Sequence, residues 1–367
     1  MRIAITHDWL ISLGGAENVL AALLEIFPKA DVYTTIFDKT KFPSDFYRNV
    51  NVYTSFLQKL PFASKHYRNF VVLMPYAFRS FNFSKYDLVI SNSHACAKDI
   101  NIPKNSLHIC YCLTPMRYIW DMYDDYMKME KPNLFVKLFA PLAAQYLRRR
   151  DIDSSKSVNE FIAISNFVSQ RIRKYYGRES IVIYPPVDTH KYYVSPQTDD
   201  YYVVVSRLVP QKRTDFIIRA FNKLKKPLKI VGKGRHETEL KQIAKSNVQF
   251  LGFVNDEEKS KILSRAKALI FASVEDFGIV PVEAMASGRP VIAYSKGGVL
   301  DTVIPNQTGL FFDEMSDDAI IDAVLKFEKM EFNSQKIKDH AEKFSKRIFI
   351  EKMKDFVLGK VQGKNYL

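Results

Sequence analysis

Cysteine is nearly absent: Cys96, Cys110 and Cys112 are all that 367 residues contain. An odd number of thiols builds no disulfide framework, and Cys110-Tyr111-Cys112 is not zinc-ligand spacing, so a reducing cytosol is the expected setting. Long apolar runs are lacking too. Phe70–Phe78 is too short to span a bilayer, and Lys137 interrupts the stretch 134–147, which predicts no transmembrane helix. The opening MRIAITHDWL enters a strand-like run directly, without the layout of a signal peptide. The dinucleotide fingerprint G-x-G-x-x-G is missing from the first βα turn, THDWLISLGGAEN, and Gly232-Lys233-Gly234 lacks the third glycine. A hydride-transfer enzyme is therefore disfavoured. Acid is in short supply: 40 Asp and Glu stand against 54 Lys and Arg, a formal net charge of +14. That balance favours nucleic acid, anionic lipid or phosphorylated substrates, or it is only the lysine-rich surface of an AT-rich genome.

What is present is enough apolar material, 47 % of residues, for two cores. At roughly 150 residues per domain the length predicts two domains. Short apolar runs alternate with longer amphipathic ones. Arg2–Thr6, Ala30–Thr35, Asp87–Asn92, Leu107–Cys112 and Phe161–Ile164 read as strands, with a helix over Ala16–Phe27 and, after Ser165-Asn166, a helix with basic residues to Tyr176. The connection YPPVD, 184–188, is the strongest boundary signal. The pattern then restarts with strands at Tyr202–Ser206, Leu228–Val231, Val248–Leu251, Ala268–Ala272 and Pro290–Tyr294. Between them lie helices at Asp215–Leu224, Glu237–Lys245, Asp256–Ala266 and Ile279–Ser287. Strands that are apolar throughout, alternating with helices, predict an α/β protein of two doubly wound, Rossmann-like domains, with ligand at the carboxyl ends of the strands. The expected division is 1–184, 185–345 and a charged helical end, 346–367, that crosses back to the first domain or is simply solvated.

Several features fall at strand ends. Gly14-Gly15 precedes a helix, where small residues let a ligand approach and the helix-start N–H groups favour an anion; an ordinary tight turn is the alternative. Arg207 and Lys212 follow the strand Tyr202–Ser206 and suit a pyrophosphate, unless the loop is merely solvated. EDFGIVPVE, 275–283, sets Glu275 and Glu283 around the start of a helix. Their carboxylates suit sugar hydroxyls, and helix-start N–H groups over Phe277, Gly278, Ile279 and Val280 suit a hydroxyl or phosphate oxygen. Asp151-Ile152-Asp153 has the form of a metal-binding D-x-D but follows Arg148–Arg150 in a helical context. It reads as a charge-balanced helix face.

HDWL…GGAE, VSRLVPQKR, GFV (252–254), EDFGIVPVEAMASGRPVIA and GGVLDTV together resemble the retaining glycosyltransferases of family 4, which have the GT-B fold. The resemblance runs from about residue 3 to 312. HICYCLTPMRYIWD and YPPVD further resemble a bacterial subgroup that builds surface polysaccharide, often with mannose from GDP-mannose. The resemblance implies that Glu275 binds the donor sugar hydroxyls and Glu283 the ribose. It implies that Arg207 and Lys212 neutralise the departing diphosphate, and that the backbone at Gly15, beside Gly14, donates to it from the opposite domain. Phe253-Val254 would contact the base through backbone, and Phe277, Gly278 and Ile279 the sugar and phosphates. Catalysis would need neither metal nor cofactor, the nucleotide sugar being a substrate, and closure of the two domains would exclude water. One departure stands out. Many relatives carry histidine at the position of Leu113, where it contacts the donor sugar. Leucine cannot hydrogen-bond, so the distal hydroxyl is held otherwise or the donor is a 6-deoxy sugar. His94, in SNSHA, is the candidate substitute near the acceptor.

The segment 41–85 carries Lys41, Arg48, Lys59, Lys65, Arg68, Arg79 and Lys85 against Asp45 alone, with twelve interleaved aromatics. These suit an anionic membrane surface or nucleic-acid stacking, or the aromatics fill a core. With a lipid-linked glycan acceptor the membrane is the better partner. The expected protein is thus cytoplasmic, peripheral on the inner face of the cell membrane, and does not bind nucleic acid. Competing readings are a noncatalytic nucleotide-sugar or glycan-binding protein on the same fold and, less favoured, a nucleic-acid-binding protein.

Overall fold

The computed structural model describes residues 1–124, 127 and 134–364. Residues 365–367, part of the expected C-terminal helix, lie outside the described residues. The chain divides into two compact units, Met1–Pro186 together with the chain from Phe349 onward, and Val187–Ile348.

The first unit is built on a seven-stranded parallel sheet. Its strands are β1 (Ile3–His7), β2 (Asp31–Thr34), β3 (Val52–Thr54), β4 (Leu88–Ser93), β5 (Leu107–Cys112), β6 (Glu160–Ala163) and β7 (Ile181–Val182). Their order in space is β3-β2-β1-β4-β5-β6-β7. The second unit holds β8 (Tyr202–Val205), β9 (Leu228–Val231), β10 (Val248–Gly252), β11 (Leu269–Phe271), β12 (Val291–Tyr294) and β13 (Gly309–Phe312), ordered β10-β9-β8-β11-β12-β13. Both are doubly wound sheets. The strand order reverses between β1 and β4 in one, and between β8 and β11 in the other, and such points open a crevice at the carboxyl ends of the strands.

Local chemistry explains the elements. Every residue of β4 (LVISNS) and β5 (LHICYC) is buried, as central parallel strands covered on both faces must be. In the helix Thr214–Leu224, Ile217, Ile218 and Phe221 face the second core, which also holds Tyr202, Leu240 and Val324. The helix Asn166–Tyr176 starts where Ser165 Oγ accepts from Val168 N at 3.0 Å and ends at Gly177, φ +63°. The last helix, Lys346–Lys364, buries Phe349, Met353 and Val357 at fourfold spacing. Phe349 meets Tyr111 of β5 edge-on at 5.5 Å, and Lys360 Nζ donates to Glu160 Oε1 of β6 at 2.6 Å.

The segment 41–85 divides its aromatics. Phe42, Phe78 and Phe83 are buried, whereas Tyr53, Phe56, Phe62 and Tyr76 are exposed.

The D-x-D reading needs correction. The helix Leu134–Lys156 turns Asp151 inward, where it forms a buried ion pair with Lys98 and accepts from Trp120 Nε1 at 2.8 Å and Tyr176 OH at 2.9 Å. Only Asp153 lies on the solvated face, 2.8 Å from Lys156 Nζ. Residues two apart on a helix do not share a face, so the aspartates part. Among the described residues no group of acids, histidines and cysteines could hold a metal ion.

Candidate active site

β8 ends into Ser206-Arg207 and β11 into the loop that carries Glu275, at the switch point of the second sheet. Arg207 is exposed there. Lys212 closes a short 3-10 turn, Pro210–Lys212, and its ammonium forms an ion pair with Glu275 Oε1. The pair is part-buried, 17 % and 25 % exposed. The helix Ile279–Ala286 follows, with Gly278 at φ +93° as its first cap and no side-chain cap. A left-handed residue with no Cβ is what this turn requires. Ile279 and Val280 are half-buried at the helix start, and Phe277 sends its ring into the core against Phe344, 5.8 Å away.

Glu283 lies one turn into the helix with its side chain 11 % exposed. Lys259, from the helix Asp256–Arg265, donates to its Oε1 at 3.0 Å and sits 3.4 Å from Asp256. Burial pushes the Tyr192 hydroxyl well above the usual tyrosine range, and the neighbouring Glu283 adds to the effect.

Glycines let the loops of this site touch. A Cβ on Gly232 would come 1.8 Å from Ser206 O, and one on Gly234 2.1 Å from Leu208 O. Leu208 N donates to Lys233 O and His236 N to Leu208 O, both at 3.0 Å. The Gly-Lys-Gly turn is therefore the brace behind Arg207 rather than a dinucleotide loop. Gly297 and Gly298 do the same for the acidic loop: Gly298 N donates to Glu275 O at 2.8 Å, and a Cβ on Gly298 would meet Asp276 O at 2.3 Å. β10 ends at Gly252, φ +71°, and turns out Phe253, 78 % exposed, beside Val254.

The first sheet carries the remaining candidates at its own strand ends. Gly14 and Gly15 open the helix Gly15–Ile26, and a Cβ on Gly14 would lie 3.1 Å from Glu17 Oε2. His94 follows β4, with its ring 4.6 Å from Trp9 and edge-on to it. Leu113, just past β5, is buried and donates its N–H to Ser93 O at 2.9 Å. The sequence reading did not single out Asp8, Asn92 or Lys259. Asp8 stands within HDWL, so its signal was a quoted motif. Nothing in DEEKSKILSR marks Lys259 as the lysine that reaches Glu283.

Two doubly wound parallel sheets, each with its polar loops at the switch point, define the class: a GT-B protein. Residues 13–191 match the family model described as Glycosyltransferase Family 4, and residues 188–346 match Glycosyl transferases group 1. Together the two models span residues 13–346 and support a glycosyltransferase of family 4. It is 32 % identical over 218 residues to a GDP-mannose-dependent alpha-(1-6)-phosphatidylinositol monomannoside mannosyltransferase of Mycobacterium tuberculosis, covering 50 % of this chain and 55 % of that one. It is 26 % identical to an uncharacterized glycosyltransferase of Methanocaldococcus jannaschii, over 53 % of this chain and 56 % of the relative. The chain thus spans about half the length of these curated relatives. The crystal structure of Anabaena HepE in complex with UDP shares the fold, with a TM-score of 0.72 at 18 % identity over 98 % of this chain and 100 % of that one.

Proposed function

We propose that this protein transfers a hexose, mannose from GDP-mannose, to a lipid-linked glycan during synthesis of a surface polysaccharide. In the net reaction the bond from the sugar C1 to the diphosphate oxygen breaks and its electron pair leaves with the diphosphate. A bond forms from C1 to an acceptor hydroxyl, whose proton is released. The observation that carries this reading is the Lys212–Glu275 ion pair, on the loop after β8 that also carries the exposed Arg207. Two cations next to a carboxylate match a diphosphate joined to a polyol: the cations take the phosphate charge, and the displaced carboxylate takes sugar hydroxyls. The same cations would do the work of a metal ion, so the reaction is proposed to be metal-independent, and retaining as in the family it resembles. Glu283 takes the ribose, and the backbone at Phe253-Val254 the base. On the first unit, Gly14-Gly15 offers N–H groups to an anion and His94 meets the acceptor. The choice of mannose leans on the named relatives.

The membrane role has its own support. Phe62 is 76 % exposed and holds a left-handed φ of +55°, a conformation unfavourable for a bulky residue. Lys59, Lys65 and Arg68 surround it in sequence and are exposed. On the helix Leu134–Lys156, exposed Leu138 and Leu142 continue, at fourfold spacing, the stripe of Tyr146, which stacks on Tyr76. No helix among the described residues is long and apolar enough to cross a membrane. An anionic bilayer surface fits apolar tips ringed by cations.

Thermal-shift screening against GDP, UDP, ADP and their sugars tests the donor, with GDP and GDP-mannose expected to give the largest shift. A larger shift with UDP-sugars would replace the base, and no shift with any nucleotide would end the donor reading. Transfer abolished by EDTA and restored by Mn²⁺ would overturn the metal-free mechanism. Reversing the charges of Lys59, Lys65 and Arg68 should weaken sedimentation with anionic vesicles, and unchanged binding would remove the membrane role.

A further inference from the structure

At the switch point of the first sheet a buried carboxylate ties the end of β1 to the loop after β4. Asp8, which follows β1, is fully buried. Its carboxylate accepts four backbone N–H groups from consecutive residues after β4: Oδ2 from His94 at 2.7 Å and Ala95 at 3.0 Å, Oδ1 from Cys96 and Ala97 at 2.7 Å each. The His94 ring lies against this carboxylate, with Nδ1 3.1 Å from Oδ2 and the side chain 26 % exposed. His94 Nδ1 is itself buried without a hydrogen-bond partner among the described residues, so this contact is an electrostatic one off the hydrogen-bond axis.

We infer that Asp8 is a positioning residue that fixes the tautomer of His94. A lone pair on Nδ1 would face the carboxylate lone pairs, so the ring carries its proton on Nδ1. In the neutral ring Nε2 is then the acceptor, and it takes a hydrogen bond from a hydroxyl. That hydroxyl is one of the acceptor's. This inference rests on the glycosyl-transfer reading for the identity of the ligand, but not for the state of the ring.

Long-range ¹H–¹⁵N correlation spectra of protein labelled with ¹⁵N-histidine report which ring nitrogen is protonated, and His94→Gln identifies the His94 signals among seven histidines. The Nδ1–H form is expected in the wild type, and Asp8→Asn should shift the population toward Nε2–H. Because Asp8→Asn turns an amide toward backbone donors and endangers folding, the wild-type spectrum decides: an Nε2–H ring overturns the role of Asp8. In transfer assays at saturating donor, His94→Gln should raise the acceptor KM by about fivefold to tenfold. Its thermal shift with GDP should match that of the wild type. An unchanged acceptor KM and kcat would remove the hydroxyl from Nε2. A wild type that no nucleotide shifts would instead defeat the donor reading, leaving the ring spectrum to decide on Asp8.

Discussion

Lys212 and Glu275 are 63 residues apart in the chain and meet as an ion pair, one following β8 and the other β11. Neither strand places the pair alone. Because both side chains keep some solvent contact, the pair contributes no more than about 1 kcal/mol to stability. Its effect on turnover should be far larger. Lys212→Ala is expected to lower kcat by on the order of 100-fold, the scale of losing one group that stabilises developing charge, while the melting temperature moves little. Steady-state kinetics beside a thermal melt checks this, and a variant with full turnover would remove Lys212 from the diphosphate.

Glu283 behaves differently because it is more buried and has Lys259 3.0 Å away. Glu283→Ala leaves that ammonium with Asp256 as its remaining acid partner in this contact. A destabilisation of about 1–3 kcal/mol is expected from the lost charge-assisted hydrogen bond. Nucleotide affinity should fall as well, and by more than affinity for inorganic pyrophosphate, which has no ribose. Calorimetric titration with both ligands separates the two effects, and equal losses would move Glu283 away from the ribose.

Gly298 offers a test of the loop rather than of a side chain. Its φ of −67° suits any residue, so the only obstacle to Gly298→Ala is steric: the new methyl would lie 2.3 Å from Asp276 O and 2.5 Å from Phe277 Cα. The loop holding Glu275 must move. Loss of the nucleotide-induced thermal shift is expected, along with a lower melting temperature, and a variant with wild-type nucleotide response would show that the loop position is not critical.

His108 predicts acid sensitivity. The ring is fully buried in β5, 3.0 Å from Ser91 Oγ, and burial pulls its pKa down to about 3. The unfolded chain regains an ordinary value near 6.5, so between those limits the unfolded state binds a proton that the native state does not. Stability is then highest above about pH 6.5 and falls as the pH is lowered, by at most about 1.4 kcal/mol per unit from this group. Urea titrations at pH 7 and pH 5 should show the loss in the wild type and a smaller loss in His108→Gln. Equal losses would assign the acid sensitivity elsewhere.

Much of the fold was legible. Leu107–Cys112 and Leu228–Val231 coincide with β5 and β9, since a central parallel strand must be apolar on both faces and announces itself. The strands Val52–Thr54 and Ile181–Val182 were not singled out. They lie at the two edges of the first sheet and are only two or three residues long, too short for a pattern. Gly309–Phe312, at an edge of the second sheet, was also not singled out.

The sequence by itself determined the residue types and their place at strand ends: Arg207, Lys212, Glu275, Glu283 and the glycines between them. Strand periodicity and turn chemistry are local, so they survive in one dimension. Only the tertiary structure decided which charges face one another. It paired Lys212 with Glu275, Lys259 with Glu283 and Asp151 with Lys98, and it wrapped four backbone N–H groups around Asp8. Those choices follow from the parallel sheet, which brings the ends of β1 and β4, or of β8 and β11, together across long stretches of chain, and no local pattern records them.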